Sequence, residues 1–369
     1  MTPDRPLRLF FEHGTLVATG VPDDDPVLAA LLTPDPRTGT HRAPAWKYRE
    51  LATYLHQQKF RRGDFYYEDN ARAFTPTTLA LTRPVEPFAH QAAALDAWLQ
   101  AGKRGTVVLP TGAGKTILAV LAIEKTQRPT LVVVPTLSLL HQWRDVLARH
   151  LDVPVGIVGG GESDRQPVTV TTYDSASLHV EFNGARFGLL VFDECHHLPS
   201  PTNRFIAEGS IAPFRLGLTA TPERTDGGEA IVEKLVGPIV HRVEIDALEG
   251  GILAPYETHV VEVALTEDER QLYDTERAIY RDFLRSSGIA MSAPDGWRRF
   301  LMFSQRSPEG RRAFAAYRIQ RGIAVRSESK LRALWALLVR HRHDRTIVFT
   351  EDNETVHRLS RRLFAPAIT

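Results

Sequence analysis

The chain has 369 residues, 43% hydrophobic and 24% charged, with a net charge of +1 at pH 7. That length exceeds one ordinary core and points to two or three domains, while the neutral balance excludes a global basic field, so any polyanion must meet a local surface. The single cysteine, Cys195, excludes a disulfide framework or cysteine-based zinc site and suits a reducing cytoplasm; no apolar run is long enough to span a membrane, and residues 1–11 lack the apolar core of a signal peptide.

Residues 7–11 and 15–18 flank Glu12-His13-Gly14 and predict a hairpin. Pro and Asp crowd 21–40, predicting turns around a short helix near 27–32. Leu51, Tyr54 and Leu55 carry helical spacing over 48–58. Residues 1–82 therefore form a small α/β domain, and 83–87 read as a linker. From there helix and strand alternate. A helix over 92–99, a strand at 106–109 and a helix from Thr116 come first. A strand at 130–134, a helix over 138–151 and apolar runs at 168–172, 189–192 and 215–218 follow. This alternation predicts an α/β fold with a parallel sheet between helices, its ligands at the carboxyl ends of the strands. Residues 265–326 are helical and arginine-rich, with eight Arg and one acid, Glu309, between 298 and 326. A helix over 330–341 and a strand at 346–350 end the chain.

The chemistry concentrates at strand ends. Thr106-Val107-Val108-Leu109 leads into Pro110-Thr111-Gly112-Ala113-Gly114-Lys115-Thr116 and then a helix. Such a strand, glycine turn and helix N-terminus make an anion site, with backbone N–H groups on the phosphates. Thr111, Gly112, Ala113 and Gly114 form the cradle, Lys115 charges the β/γ-phosphates, and the Thr116 hydroxyl can ligate Mg²⁺. Downstream, the run 189–192 delivers Asp193-Glu194-Cys195-His196. Asp193 can hold Mg²⁺ and Glu194 can take the proton of an attacking water, making Lys115, Asp193 and Glu194 the candidate catalytic set. One Cys beside two adjacent His gives poor geometry for a metal cluster. Gln91, with a donor and an acceptor on one amide, could read adenine.

On these residues the chain resembles superfamily 2 helicases, and within them the XPB (xeroderma pigmentosum group B) type. Val132 to Thr136, continued through Leu139 to Trp143, resembles motif Ia. Gly159-Gly160-Gly161 and Thr171-Thr172-Tyr173 resemble its next DNA-backbone motifs. Asp193 to His196 resembles the DExH box, and Gly217 to Pro222 motif III. The resemblance implies a RecA-like first motor domain over 83–264, a damage-recognition domain over 1–82, a thumb over 265–326 and the start of a second RecA-like domain over 327–369. It implies ATP and Mg²⁺, coupling through His196, Thr219, Ala220 and Thr221, and DNA contacts at Thr136, Gly160, Thr172, Tyr173, Arg224 and Asp226. Arg311 and Arg318, seven apart on one helical face, are the thumb's candidate phosphate contacts. Double-stranded or forked DNA, 3′→5′ movement, a repair role and a structure-specific endonuclease partner are implied in the same way.

Four features depart from the pattern. Leu109 stands where the general phosphate loop has glycine. Phe88-Ala89-His90 precedes Gln91 where Arg-Pro-Tyr is usual. The Arg-Glu-Asp element reads Arg224-Thr225-Asp226. Motifs V and VI, with their arginine finger, are not read in these residues, so slow hydrolysis by this chain alone is expected. Two other readings share the phosphate loop: an ATP-gated DNA sensor and the motor of a restriction or remodelling enzyme.

Overall fold

Strands β1 (Leu7–Glu12) and β2 (Thr15–Thr19) form the expected hairpin, turning at His13 and Gly14, both with positive φ. In this computed structural model, residues 6–62, 65–223, 227–248, 250, 254–293 and 295–368 are described. They divide into two units, Met1–Tyr256 and Glu257–Thr369.

The first unit opens with helix α1 (Pro26–Leu31), strands β3 (Thr33–Asp35) and β4 (Thr40–Pro44), helix α2 (Tyr48–Arg61) and strand β5 (Tyr67–Asn70). Asp25 caps α1 by accepting the N–H groups of Val27 and Leu28 at 3.0 Å. The sheet order is β3-β4-β2-β1-β5, antiparallel except for the β1–β5 pair. Leu9, Leu16, Leu28, Leu51 and Leu55 are fully buried between this sheet and its helices, joined by Ala185 and Ile211 from further along the chain.

The rest of the unit is the expected alternation. It runs α3 (Ala89–Gln100), β6 (Arg104–Val108), α4 (Lys115–Thr126), β7 (Thr130–Val134), α5 (Leu137–His150), β8 (Val155–Gly159) and β9 (Glu162–Ser163). Then come β10 (Val168–Thr172), α6 (Tyr173–Asn183), β11 (Leu189–Asp193), α7 (Pro201–Glu208), β12 (Phe214–Thr219), α8 (Glu229–Leu235) and β13 (Ile239–Arg242). The order is β13-β6-β12-β11-β7-β10-β8-β9, and every pair except β8–β9 is parallel. Side chains alternate across this sheet. Val132, Val134, Leu189 and Val191 enter the core that includes α3, α4 and α5, whereas Val133, Leu190 and Phe192 enter the core that includes α6, α7 and α8. Burial on both faces explains why these strands read as continuous apolar runs. The fold class is thus the α/β, RecA-like parallel sheet with flanking helices, beside a small N-terminal α/β part.

Strand order also positions the chemistry. β6, β12 and β11 are consecutive neighbours, in the register Thr219 beside Val108 and Asp193 beside Leu218. Three sequence-distant strand ends therefore lie side by side. Leu109, where a glycine is general, is fully buried, and its N–H donates to Thr219 O at 3.0 Å. It prolongs the sheet by one bond rather than lining the phosphate turn.

The second unit contains α9 (Glu267–Ser286), α10 (Gly296–Ser304), α11 (Pro308–Arg326), α12 (Glu328–Arg340) and α13 (Asn353–Leu363). Thr266 and Glu269 cap α9 reciprocally. Fully buried Phe300 packs against Tyr280, Phe283, Phe314 and Tyr317, and one such side chain contributes about 1.5–3 kcal/mol. Arg312 clamps buried Glu276 with two bonds, at 2.6 and 2.8 Å. The strand expected at 346–350 does not form. Ile347 and Phe349 are 77% and 91% exposed, and a strand needs a neighbour to take its backbone groups.

Candidate functional site

The chain leaves β6, turns through 109–114 and enters α4 at Lys115. Gly112 and Gly114 adopt φ of 84° and 80°, a left-handed conformation that glycine alone takes without strain. A Cβ on Gly114 would also meet Gln91 Nε2 at 2.2 Å. Thr111 and Gly112 are exposed, Ala113 is buried, and Thr116 is the second residue of α4. Lys115 Nζ lies 3.4 Å from both Leu109 O and Glu194 Oε1. The phosphate-loop lysine and the DExH glutamate thus share one locus.

Glu194 has φ of 46°, rare for a residue with a Cβ, and turns the chain from β11 into the short helix Cys195–His197. Its Oε2 accepts from Thr219 Oγ1 at 3.3 Å and lies 3.4 Å from His196 Nδ1. Because the Thr219 hydroxyl proton points to Glu194, the 3.0 Å contact between His196 Nδ1 and Thr219 Oγ1 has the imidazole as donor. The N–H of Thr221 also donates to Thr219 Oγ1, at 3.1 Å. Motif III is therefore wired to the DExH box through one hydroxyl. Ala220, between the two threonines, is half-buried.

Burial pushes the Asp193 carboxyl up to about 6, with the neighbouring Glu194 charge adding to the rise; the Trp143 indole and the Lys115 ammonium oppose it. Burial likewise pushes the Cys195 thiol up to about 12, so without a metal it stays protonated at neutral pH.

Two expected contacts look different in three dimensions. Gln91 is 2% exposed, and its amide is used within the protein. Oε1 accepts from Phe88 N at 3.0 Å, while Nε2 donates to Ala113 O and Gly114 O at 3.2 and 3.3 Å. It braces the phosphate turn instead of offering a free edge to adenine. Tyr173 is 4% exposed and donates its hydroxyl to Asp193 O at 3.0 Å. Its side chain supports the end of β11 and is not available to DNA.

Sequence reasoning missed His90 and Trp143. His90 Nε2 donates to Ala113 O at 2.8 Å, because a carbonyl can only accept. Its buried Nδ1 then has no partner among the described residues. Trp143 Nε1 donates to Asp193 Oδ2 at 2.9 Å. Neither contact leaves a local sequence signal, since the partners are 23 and 50 residues away.

The candidate DNA-backbone residues Thr136, Gly160 and Thr172 do come together. Exposed Thr136 caps α5, accepting from Leu139 N at 3.2 Å, whereas Thr172, 6% exposed, caps α6 by accepting from Ser175 N at 3.3 Å and is, like Tyr173, not available to DNA. Gly160, with φ of 61°, lies so near Leu137 that a Cβ would approach it to 3.1 Å, and one on Gly159 would come as close to Ser175 Oγ. Two helix N-termini flank one glycine turn, an arrangement suited to anions. Arg224 and Asp226 lie outside the described residues. In the second unit, Arg311 and Arg318 are exposed on α11.

Comparisons with known proteins bear on the family. The family model for the xeroderma pigmentosum group B helicase damage recognition domain matches residues 9–71, and that for the type III restriction enzyme res subunit matches 84–224. "DNA 3'-5' translocase XPB2" of Sulfurisphaera tokodaii is 39% identical over 329 residues, covering 89% of this chain and 73% of that protein. "DNA 3'-5' helicase XPB" of Mycobacterium tuberculosis is 37% identical over 187 residues, covering 47% of this chain and 34% of that protein. Among solved structures, the Pyrococcus furiosus Hef helicase domain aligns over 69% of this chain and 62% of its own with 21% identity and a TM-score of 0.43, which adds nothing to the strand order. With two fifths of the aligned residues identical across nearly three quarters of an XPB2 translocase, the chain belongs to the XPB family of superfamily 2 helicases.

Proposed function

We propose that the first unit binds ATP as substrate and uses it to drive 3′→5′ movement on double-stranded or forked DNA. In this reading the amides of 111–116 cradle the phosphates and Lys115 neutralises the β/γ-phosphates. Glu194 accepts the proton of the attacking water. The observation that carries the reading is the 3.4 Å approach of Lys115 Nζ to Glu194 Oε1 beside a turn whose Gly112 and Gly114 both hold a left-handed backbone.

The residues fit a magnesium ion. A hydroxyl at Thr116 and a carboxylate at Asp193 make the hard oxygen set that Mg²⁺ takes, with water filling the other positions. When bound, the ion would neutralise charge developing on the phosphate oxygens. Gln91 and His90 hold the Ala113 carbonyl, which orients the turn. Thr219 ties Glu194 to His196 and Thr221, so a shift of motif III re-aims the base; this is the proposed coupling of hydrolysis to DNA grip.

Phosphate-backbone contacts at Thr136 and Gly160 position DNA without reading sequence. Arg311 and Arg318 add a second, thumb-like contact. The relatives' printed names support the polarity, and the match at 9–71 supports recognition of damaged DNA; a repair role and work beside a structure-specific endonuclease are proposed with it on the family resemblance alone. An arginine finger is worth about 10³–10⁵ in turnover, and the family resemblance places it in motif VI. We infer that a protein made of these 369 residues alone binds ATP but hydrolyses it slowly.

The test is strand displacement from duplexes bearing a 3′ or a 5′ single-stranded tail, using this chain and a version continued through motif VI. The reading expects ATP-dependent displacement by the longer protein from the 3′-tailed duplex. Equal displacement from both tails would overturn the polarity. Equal ATP turnover by the two lengths would overturn the slow-hydrolysis inference.

A further inference from the structure

Leu140, Trp143 and Leu147 share the buried face of α5 at helical spacing. Trp143 is 2% exposed, and its N–H reaches across to Asp193, itself 5% exposed, at 2.9 Å. A buried indole needs a hydrogen-bond partner, and any backbone carbonyl would meet that need. Here the partner is the carboxylate at the end of β11, where an ionised group taken from water needs donors of its own. The indole donates once and accepts nothing, so it fixes one carboxylate oxygen; the Glu194 N–H also donates to the carboxyl, and the lone pairs beyond these two bonds remain. The main chain of the same residue is held separately, by the Tyr173 hydroxyl on Asp193 O at 3.0 Å. Two helices, α5 and α6, thus pin one aspartate at its two ends.

We propose that Trp143 is a positioning residue for Mg²⁺ binding, holding Asp193 Oδ2 so that the rest of the carboxylate meets the ion's water shell. This rests on the reading of Asp193 as the magnesium carboxylate. Partners of this kind tune metal affinity: removing one typically costs 10–100-fold. The indole acts on the metal through Asp193 and touches no phosphate.

The test titrates Mg²⁺ into the full chain holding a fluorescent, non-hydrolysable ATP analogue. Trp143→Phe should raise the Mg²⁺ concentration for half-maximal tightening about tenfold and leave the Mg²⁺-free affinity of the analogue unchanged. Trp143→His, which retains an N–H, should recover part of the loss. An unchanged Mg²⁺ dependence in Trp143→Phe, with a shifted one in Asp193→Ala, would overturn the role of Trp143 while leaving Asp193 in place. An unchanged dependence in Asp193→Ala would remove the underlying reading as well. A parallel loss of Mg²⁺-free affinity in Trp143→Phe would mark a purely structural indole and also overturn the proposal. Should the variants not fold, the indole N–H resonances of the wild type's five tryptophans supply the readout. One must shift when Mg²⁺ is added to the nucleotide-loaded protein, and no shift would overturn the proposal.

Discussion

Replacing Thr219 by Val keeps the shape of the side chain and removes its hydroxyl. That hydroxyl donates to Glu194 Oε2 at 3.3 Å and accepts from His196 Nδ1 at 3.0 Å and Thr221 N at 3.1 Å. A hydrogen bond to a charged group is worth about 1.5–3 kcal/mol. The bond to Glu194 is long for an O–H donor, and Glu194 is 25% exposed, so water can partly replace it. The lower figure applies, which converts to a roughly tenfold fall in rate. Because the Thr219 hydroxyl bonds to the base, His196 and Thr221 and to no residue of the phosphate turn, while the main-chain bond from Leu109 survives the substitution, the loss should fall on kcat with ATP affinity unchanged. Thr219→Ser, which restores the hydroxyl, should recover most of the rate. Single-turnover hydrolysis with a parallel nucleotide-binding titration reads both quantities. An unchanged kcat, or a fall in affinity matching the fall in rate, would refute the wiring of motif III to the base.

Three more outcomes follow from the same geometry. Asp193 titrates at about 6 when folded, above the ordinary carboxylate value of 3.8; the folded state holds this proton where the unfolded state has lost it, so the group's contribution to stability falls as pH rises from about 4 to 6. Asp193→Asn should therefore make the nucleotide-free protein more stable at pH 7.5, with the gap closing as pH falls through 6 toward 4, as urea melts would reveal; a pH-independent gap contradicts this. Fully buried Arg215 donates to Ala212 O, Leu235 O and Ser210 O, and among the described residues only Leu235 O has a second donor, Arg104; Arg215→Met should cost about 3 kcal/mol, two orphaned carbonyls partly offset by relief of a buried charge, and an unshifted urea midpoint would exclude it. Removing Arg311 and Arg318 together should flatten the salt dependence of DNA binding by roughly 0.9 per lost phosphate contact, and an unchanged slope places them away from DNA.

How much of this was legible in the sequence depends on where the deciding contacts lie. Strands β7, β10 and β11 could be read from residues 130–134, 168–172 and 189–192, because a strand buried on both faces must be apolar throughout. Strands β4 and β5, Thr-His-Arg-Ala-Pro and Tyr-Glu-Asp-Asn, are largely half-buried and polar, and only their neighbours make them strands. The reverse error occurred at 346–350, where β-branched and aromatic residues signal a strand that finds no partner among the described residues. The order of Lys115, Asp193-Glu194 and Thr219 was readable because each sits at the end of an apolar run. The bracing of the loop by Gln91, the burial of Tyr173 and the bond from Trp143 to Asp193 were not. Each joins residues 20 or more positions apart, and that proximity is created by the strand order.

The account stands most directly on nucleotide binding measured apart from hydrolysis in the wild type, Lys115→Ala and Glu194→Gln, each in the version continued through motif VI. Glu194→Gln should bind ATP·Mg²⁺ within a few-fold of the wild type while hydrolysis falls by about 10²-fold or more, the scale of a lost general base. Lys115→Ala should lose at least about tenfold in affinity, the loss of one charge-assisted contact to phosphate. Wild-type affinity in Lys115→Ala, or wild-type hydrolysis in Glu194→Gln, would contradict the placement of one triphosphate between these two side chains.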